Sequence, residues 1–251
     1  MTQANALRVT NLTKKYGGLV VTDAISLGVH TGEVHAVIGP NGAGKTTLLA
    51  QLAGAIEPDA GSIELHGRDI TRLPQHARVR LGLARSHQIT SIFRTQTVLE
   101  NLCLAVQRRR TSPYSFWKHV SADRIEEEAQ AIAAEVGLAG LEGHQAGTLA
   151  HGRQRQVEIA LALASGATVL LLDEPMAGVS NDEAHNITRL IQGMKGRLTV
   201  VLVEHDMHAV FALADRISVL VNGRLIATGS RDEIRNHPEV RRAYLGDEAV
   251  A

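Results

Sequence analysis

GPNGAGKT, residues 39–46, is the stretch that decides the fold. It fits the spacing G-x-x-x-x-G-K-[ST], and its flanks fit as well. EVHAVIG (33–39) reads as a strand running into it, and TTLLAQLAG reads as a helix leaving it, with Leu48, Leu49 and Leu52 on one apolar face. A strand, a glycine-rich turn and a helix start together make a cradle for phosphate. The glycines let backbone N–H groups turn inward, and the helix N-terminus adds the positive end of its dipole. Lys45 is then expected to reach the outer phosphates of a nucleoside triphosphate, and Thr46 to offer its hydroxyl to Mg²⁺. Gly39, Pro40, Asn41, Gly42, Ala43, Gly44, Lys45, Thr46 and Thr47 are therefore candidate nucleotide-binding residues.

Two runs downstream complete the chemistry. TVLLLDEP (168–175) begins with β-forming apolar residues and reads as a buried central strand. Asp173 emerges at its C-terminal end, the edge at which open α/β sheets bind ligands. It is expected to hold Mg²⁺ through a water. Glu174 follows directly, and one carboxylate for the metal with the next for the attacking water is the arrangement that hydrolysis requires. VVLVEHD (200–206) is a second buried strand, which brings His205 to a neighbouring strand end, within reach of a γ-phosphate or the water. A lone histidine in a chain with 12 of them would otherwise read as structural.

Working outward, 6–10, 25–31 and 61–65 read as short strands, and 97–107, 124–137 and 152–164 as helices. Residues 168–213 then alternate strand, helix, strand, helix. Strands 216–221 and 224–227 flank Asn222-Gly223, a strong hairpin signal. Alternation of this kind implies an α/β fold with a mostly parallel sheet. The 251 residues suit one large α/β domain, alone or with a small subdomain. Lys+Arg and Asp+Glu are both 26, and aromatics are only 3%, which argues against a nucleic-acid partner. Cys103 is the one cysteine, so no internal disulfide forms and a reducing, cytoplasmic setting is expected. Cys103 itself reads as a small buried hydrophobe. No signal peptide is visible, and no apolar run approaches the ~20 residues needed to span a bilayer.

Taken together, these residues resemble the nucleotide-binding subunit of an ABC transporter from Leu7 to Gly246. The resemblance implies a P-loop NTPase (RecA-like) core. It divides one ATPase domain into a catalytic core with an antiparallel β subdomain (1–87 and 166–251) and a helical subdomain (88–165). It implies that Tyr16, in LTKKYGG, stacks on adenine. Gln88, in ARSHQITSIF, would contact Mg²⁺ and the water. Leu149, Ala150, His151, Gly152 and Arg153 would form the signature motif, which meets ATP bound by a second subunit. Glu174 would be the general base and His205 the switch histidine.

A narrower resemblance is to the branched-chain amino acid importers, in IGPNGAGKTTL, GLARSHQITSIF, LAHGRQRQVEIALALA, VEHDM and VRRAYLG. Those importers use two kinds of ATPase, and Gln88 with Glu204-His205-Asp206 places this chain with the first. The implied partners are a homologous ATPase subunit (a homodimer remains open), two transmembrane permeases and a separate substrate-binding protein. No nucleic acid is implied. The implied location is peripheral, on the cytoplasmic face of the inner membrane. Lipopolysaccharide-export ATPases are also similar, in LPQHARVR (73–80) and the YLG tail. A soluble ABC ATPase acting on nucleic acid or ribosomes fits less well, because the interval from Lys45 to Leu149 holds no sustained heptads. A P-loop kinase would leave the signature, Glu174 and His205 unexplained.

Some letters depart from the family pattern. In L-S-G-G-Q the Ser is replaced by Ala150, the first Gly by His151 and the Gln by Arg153. What survives is Gly152 and a helix start, expected to present free N–H groups to a phosphate, with His151 and Arg153 adding positive charge. The alternative is a structural helix start. In MAGVSND (176–182), Ser180 stands where the family carries Asp, and reads either as that loop's contact residue or as a helix N-cap. Arg108–Arg110 reads as a solvated loop facing a partner. Ile92 and Phe93 line a groove for a membrane subunit or pack in the core.

Overall fold

The computed structural model describes residues 4–86, 92–110 and 121–242. The chain opens with a hairpin of β1 (Asn5–Tyr16) and β2 (Leu19–His30). β3 (Val34–Ile38) then leads into α1 (Lys45–Ala53). After β4 (Ala60–Leu65), β5 (Arg68–Asp69), α2 (Gln75–Arg80) and β6 (Leu83–Arg85) come α3 (Val98–Arg110), α4 (Ala122–Glu135), a 3-10 turn at Ala146–Thr148 and α5 (His151–Ala164). The remainder alternates: β7 (Val169–Asp173), α6 (Asn181–Met194), β8 (Thr199–Val203), α7 (Met207–Leu213) and β9 (Arg216–Val221). β10 (Arg224–Gly229), α8 (Arg231–Asn236) and α9 (Pro238–Val240) complete the order.

The strands form two sheets. β2-β1-β4-β5 is antiparallel throughout. The second runs β10-β9-β3-β8-β7-β6, in which all neighbours are parallel except the edge pair β9–β10. β3, β7 and β8 are buried along their whole length, as strands covered on both faces must be. Their alternate residues separate two cores. Leu170, Leu172, Val200 and Leu202 pack with α3–α6, whereas Val169, Leu171, Val201 and Val203 pack with α1 and the antiparallel sheet. The α/β class and the parallel sheet expected from the sequence are what the chain forms.

Three elements escape periodicity. β5 and β6 are too short to show a pattern, and α2 buries not an apolar residue but Arg78. Its guanidinium donates to Gln51 O, Leu52 O, Leu73 O and Thr71 O, capping the last carbonyls of α1. Burial pushes Arg78 down to about 10. Arg108–Arg110 corrects an expectation: it is not a loop but the last turn of α3, where Arg109 and Arg110 both pair with Glu128 of α4. Cys103 is half-buried on α3, with its thiol pushed up by burial. Ile92 joins the core, whereas Phe93 is exposed.

Candidate functional site

The loop 39–46 lies between β3 and α1, and two of its glycines are required by geometry. Gly44 has φ +103, and a Cβ there would sit 2.4 Å from Val21 O. At Gly39 a Cβ would sit 2.0 Å from Leu220 O. The hairpin turn braces the loop from below. Asn222 and Gly223 have φ 47 and 78, as a two-residue I′ turn needs, and the Gly223 N–H donates to Ala43 O at 3.0 Å. Lys45 is buried, and Nζ donates to Gly39 O at 2.6 Å and Pro40 O at 3.0 Å. Burial lowers its pKa, and the carboxylates of Glu174 and Asp173 oppose that shift. The phosphate loop and the end of β7 therefore share one electrostatic site. Thr46, in the first turn of α1, is exposed and Thr47 half-buried.

At the end of β7, Asp173 is 1% exposed and its Oδ2 accepts from Arg85 at 2.9 Å. Its Oδ1 has no partner among the described residues. Such an orphaned, buried carboxylate oxygen, with a threonine exposed in the first turn of α1, fits a Mg²⁺ ion that arrives with phosphates and keeps its own waters. Glu174 has φ +47, an uncommon conformation for a residue with a side chain, held by its N–H donating to Val203 O at 2.9 Å. His205, at the end of β8, is 61% exposed, with Nδ1 3.8 Å from both Glu174 Oε1 and Glu204 Oε2. Glu204 lies beneath both loops. Its Oε1 accepts from Met176 N at 3.0 Å and its Oε2 from His205 N at 3.1 Å, while burial raises its pKa. The arrangement gathers a lysine, two carboxylates and a histidine at adjoining strand ends. That is what polarising a phosphate and directing a water against it require. Arg85 and Glu204 stand inside GLARSHQITSIF and VEHDM, but only the fold shows what their side chains touch.

The other expected residues are dispersed. Tyr16 ends β1, 50% exposed, with Lys14 Nζ 5.6 Å from the ring centroid. Gln88 lies outside the described residues. Leu149 and Ala150 precede α5, His151 begins it, and Ala150 supplies no side-chain cap. Two expectations about this motif are corrected. The Gly152 N–H is not free: it donates to Glu183 Oε1 at 3.0 Å. Arg153 turns into its own chain, donating to Gly137 O at 2.8 Å and Gln156 Oε1 at 2.9 Å. A short side chain at 150 leaves the helix start uncapped, and the carboxylate of α6 fills that role. Ser180 is the N-cap of α6 in a reciprocal capping box with Glu183.

Comparison with known proteins places the chain in a family. Residues 22–177 match the family model described as ABC transporter, and residues 224–250 match that of the branched-chain amino acid ATP-binding cassette transporter. The chain is 38% identical over 249 residues to the high-affinity branched-chain amino acid transport ATP-binding protein BraF of Pseudomonas aeruginosa, covering 96% of this chain and 98% of BraF. LivG of Escherichia coli K12 gives the same identity and coverage. The lipopolysaccharide export system ATP-binding protein LptB of Acidithiobacillus ferridurans is 37% identical over 243 residues, 96% of this chain and 97% of LptB. Among solved structures, a nucleotide-free ATP-binding cassette from an ABC transporter superposes with a TM-score of 0.83 at 31% identity, over 97% of this chain and 100% of that one. The chain thus belongs to the ABC transporter family, as an ATP-binding cassette that hydrolyses ATP to power transport.

Proposed function

We propose that the chain is an ATPase subunit of a branched-chain amino acid importer. One observation carries the cargo. BraF and LptB are almost equally similar overall, and the C-terminal segment 224–250, whose YLG tail is also similar to the lipopolysaccharide-export ATPases, matches the family model described as branched-chain amino acid ATP-binding cassette transporter. The chain works as one ATPase domain, with a catalytic core (1–87 and 166–251) and a helical part (88–165). It pairs with a homologous ATPase and docks on two permeases served by a separate binding protein. No helix among the described residues is long and apolar enough to cross a membrane; docking on those permeases would place the chain at the membrane's cytoplasmic face.

Within the site, backbone N–H groups of 39–46 and the start of α1 hold the phosphates, and Lys45 exchanges its bonds to Gly39 O and Pro40 O for phosphate oxygens. Thr46, Asp173 and Gln88 would hold Mg²⁺, which would neutralise charge on the phosphates. Glu174 takes the proton of the attacking water. His205, 3.8 Å from Glu174, keeps that carboxylate and the γ-phosphate in register. Tyr16 offers its exposed face to adenine. The test is uptake of labelled leucine, isoleucine and valine in a strain lacking the gene. Wild type restores uptake and Glu174→Gln does not. Normal uptake in the deletion strain, with defective lipopolysaccharide export, would favour the LptB-like reading.

A further inference from the structure

We infer that Glu183 is an internal anion that occupies the phosphate-receiving start of α5 and must yield it when nucleotide arrives. The inference rests on reading Leu149–Arg153 as the segment that meets a partner's ATP. Glu183 does not touch the reacting atoms; it is a positioning residue acting through α5.

The geometry is specific. Oε1 of Glu183 accepts from the Gly152 N–H at 3.0 Å, while Oε2 accepts from Ser180 N at 3.0 Å and Ser180 Oγ at 2.9 Å. One carboxylate thus serves two helix starts, one oxygen each. The contact also explains why position 152 is glycine from within the chain. A Cβ there would fall 2.6 Å from Glu183 Cβ, so any side chain would push the carboxylate off the amide. A glycine that the sequence assigns to a partner's phosphate is therefore equally demanded by an acid on α6, the next helix of the chain.

A carboxylate and a γ-phosphate compete for such a site, because they seek the same N–H and repel each other. The two-oxygen arrangement makes the exchange inexpensive for the fold. Oε1 can leave Gly152 while Oε2 stays on Ser180, so α6 keeps its cap. Ser180 lies six residues after Glu174 in the same connection between β7 and α6. Glu183 thus sits between the start of α5 and the connection that carries Glu174.

Glu183→Gln tests this. Glutamine at the third helical position still completes a capping box, so the change removes the charge and spares the cap. In the assembled transporter, the apparent KM for ATP is expected to fall roughly ten-fold, the weight of one charge-assisted hydrogen bond lost from the competing state, with kcat within about two-fold. Glu183→Ala, which removes the acceptor altogether, shifts KM the same way. An unchanged or raised KM in both variants, or a fall in kcat alone, overturns the inference and leaves Glu183 as a helix cap. ATP binding by the isolated full-length chain is measured alongside. If that chain binds no ATP, the ATPase reading itself fails, which is a separate outcome.

Discussion

Replacing Arg85 with methionine probes the contact that ties β6 to the catalytic strand. Asp173 is 1% exposed and Arg85 10%, and a single 2.9 Å bond to Oδ2 joins them. The other oxygen of Asp173 is buried without a partner among the described residues. Arg85→Met leaves that carboxylate charged, buried and unpaired at both oxygens. Removing one member of a buried pair costs about 3–5 kcal/mol, because the remaining charge keeps its desolvation penalty. Arg85 touches solvent and the site opens toward phosphate, so the lower end, about 3 kcal/mol, is expected. In a chain of this size that lowers Tm by about 6–12 °C. Urea unfolding of wild type, Arg85→Met, Asp173→Asn and the double variant completes a cycle, which isolates the pair. The neutral amide removes the orphaned charge, so the double variant should be more stable than the sum of the single losses by about 2 kcal/mol. Additive losses, or a loss under about 1 kcal/mol for Arg85→Met, would refute the claim that Arg85 neutralises Asp173.

Two further outcomes follow from the fold. His35 is fully buried between Glu33 Oε1 at 3.1 Å and Ser218 Oγ at 2.8 Å, and burial lowers its pKa below 6.5 against the pull of Glu33. The unfolded chain then binds a proton that the folded one refuses, so stability is complete above pH 6.5 and falls as pH drops below it. The contribution is at most about 1.4 kcal/mol per pH unit, and His35→Asn should remove that slope in urea titrations between pH 5 and 7. Equal slopes in the two proteins would exclude His35 as the source. Gly44→Ala should abolish ATP binding in a fluorescent-nucleotide titration, because its Cβ would lie 2.4 Å from Val21 O at φ +103. Unaltered affinity would show that the loop tolerates a side chain there.

What could be read from the sequence, and what could not, divides along local and tertiary lines. GPNGAGKT is legible because strand, turn and helix are contiguous, and TVLLLDEP and VVLVEHD because apolar runs end in polar residues at one sheet edge. Asn222-Gly223 is legible as a turn, but not its bond to Ala43 O, which lies beyond the neighbouring strand β3 and far off in the sequence. The contacts of Arg85, Glu204 and Arg78 stayed hidden for the same reason: each charged side chain reaches a partner on another element, Asp173, Met176 N and the end of α1 respectively. The start of α5 was half legible. Gly152 and the helix follow from the letters, but its N–H is claimed by Glu183, 31 residues on, and Arg153 turns inward to Gly137. Gln88 lies where the structure describes nothing, so its assignment still rests on resemblance.

In the proposed reaction, ATP held at Lys45 is cleaved by water activated at Glu174, beside Asp173 and His205. Glu174→Gln tests it most directly, since the amide keeps the shape and removes the base. ATP affinity and steady-state turnover should be measured for the assembled complex. Affinity should stay within about three-fold of wild type, and turnover at this chain's own site should fall by about 10²–10⁴. Turnover at that site within a few-fold of wild type would contradict it.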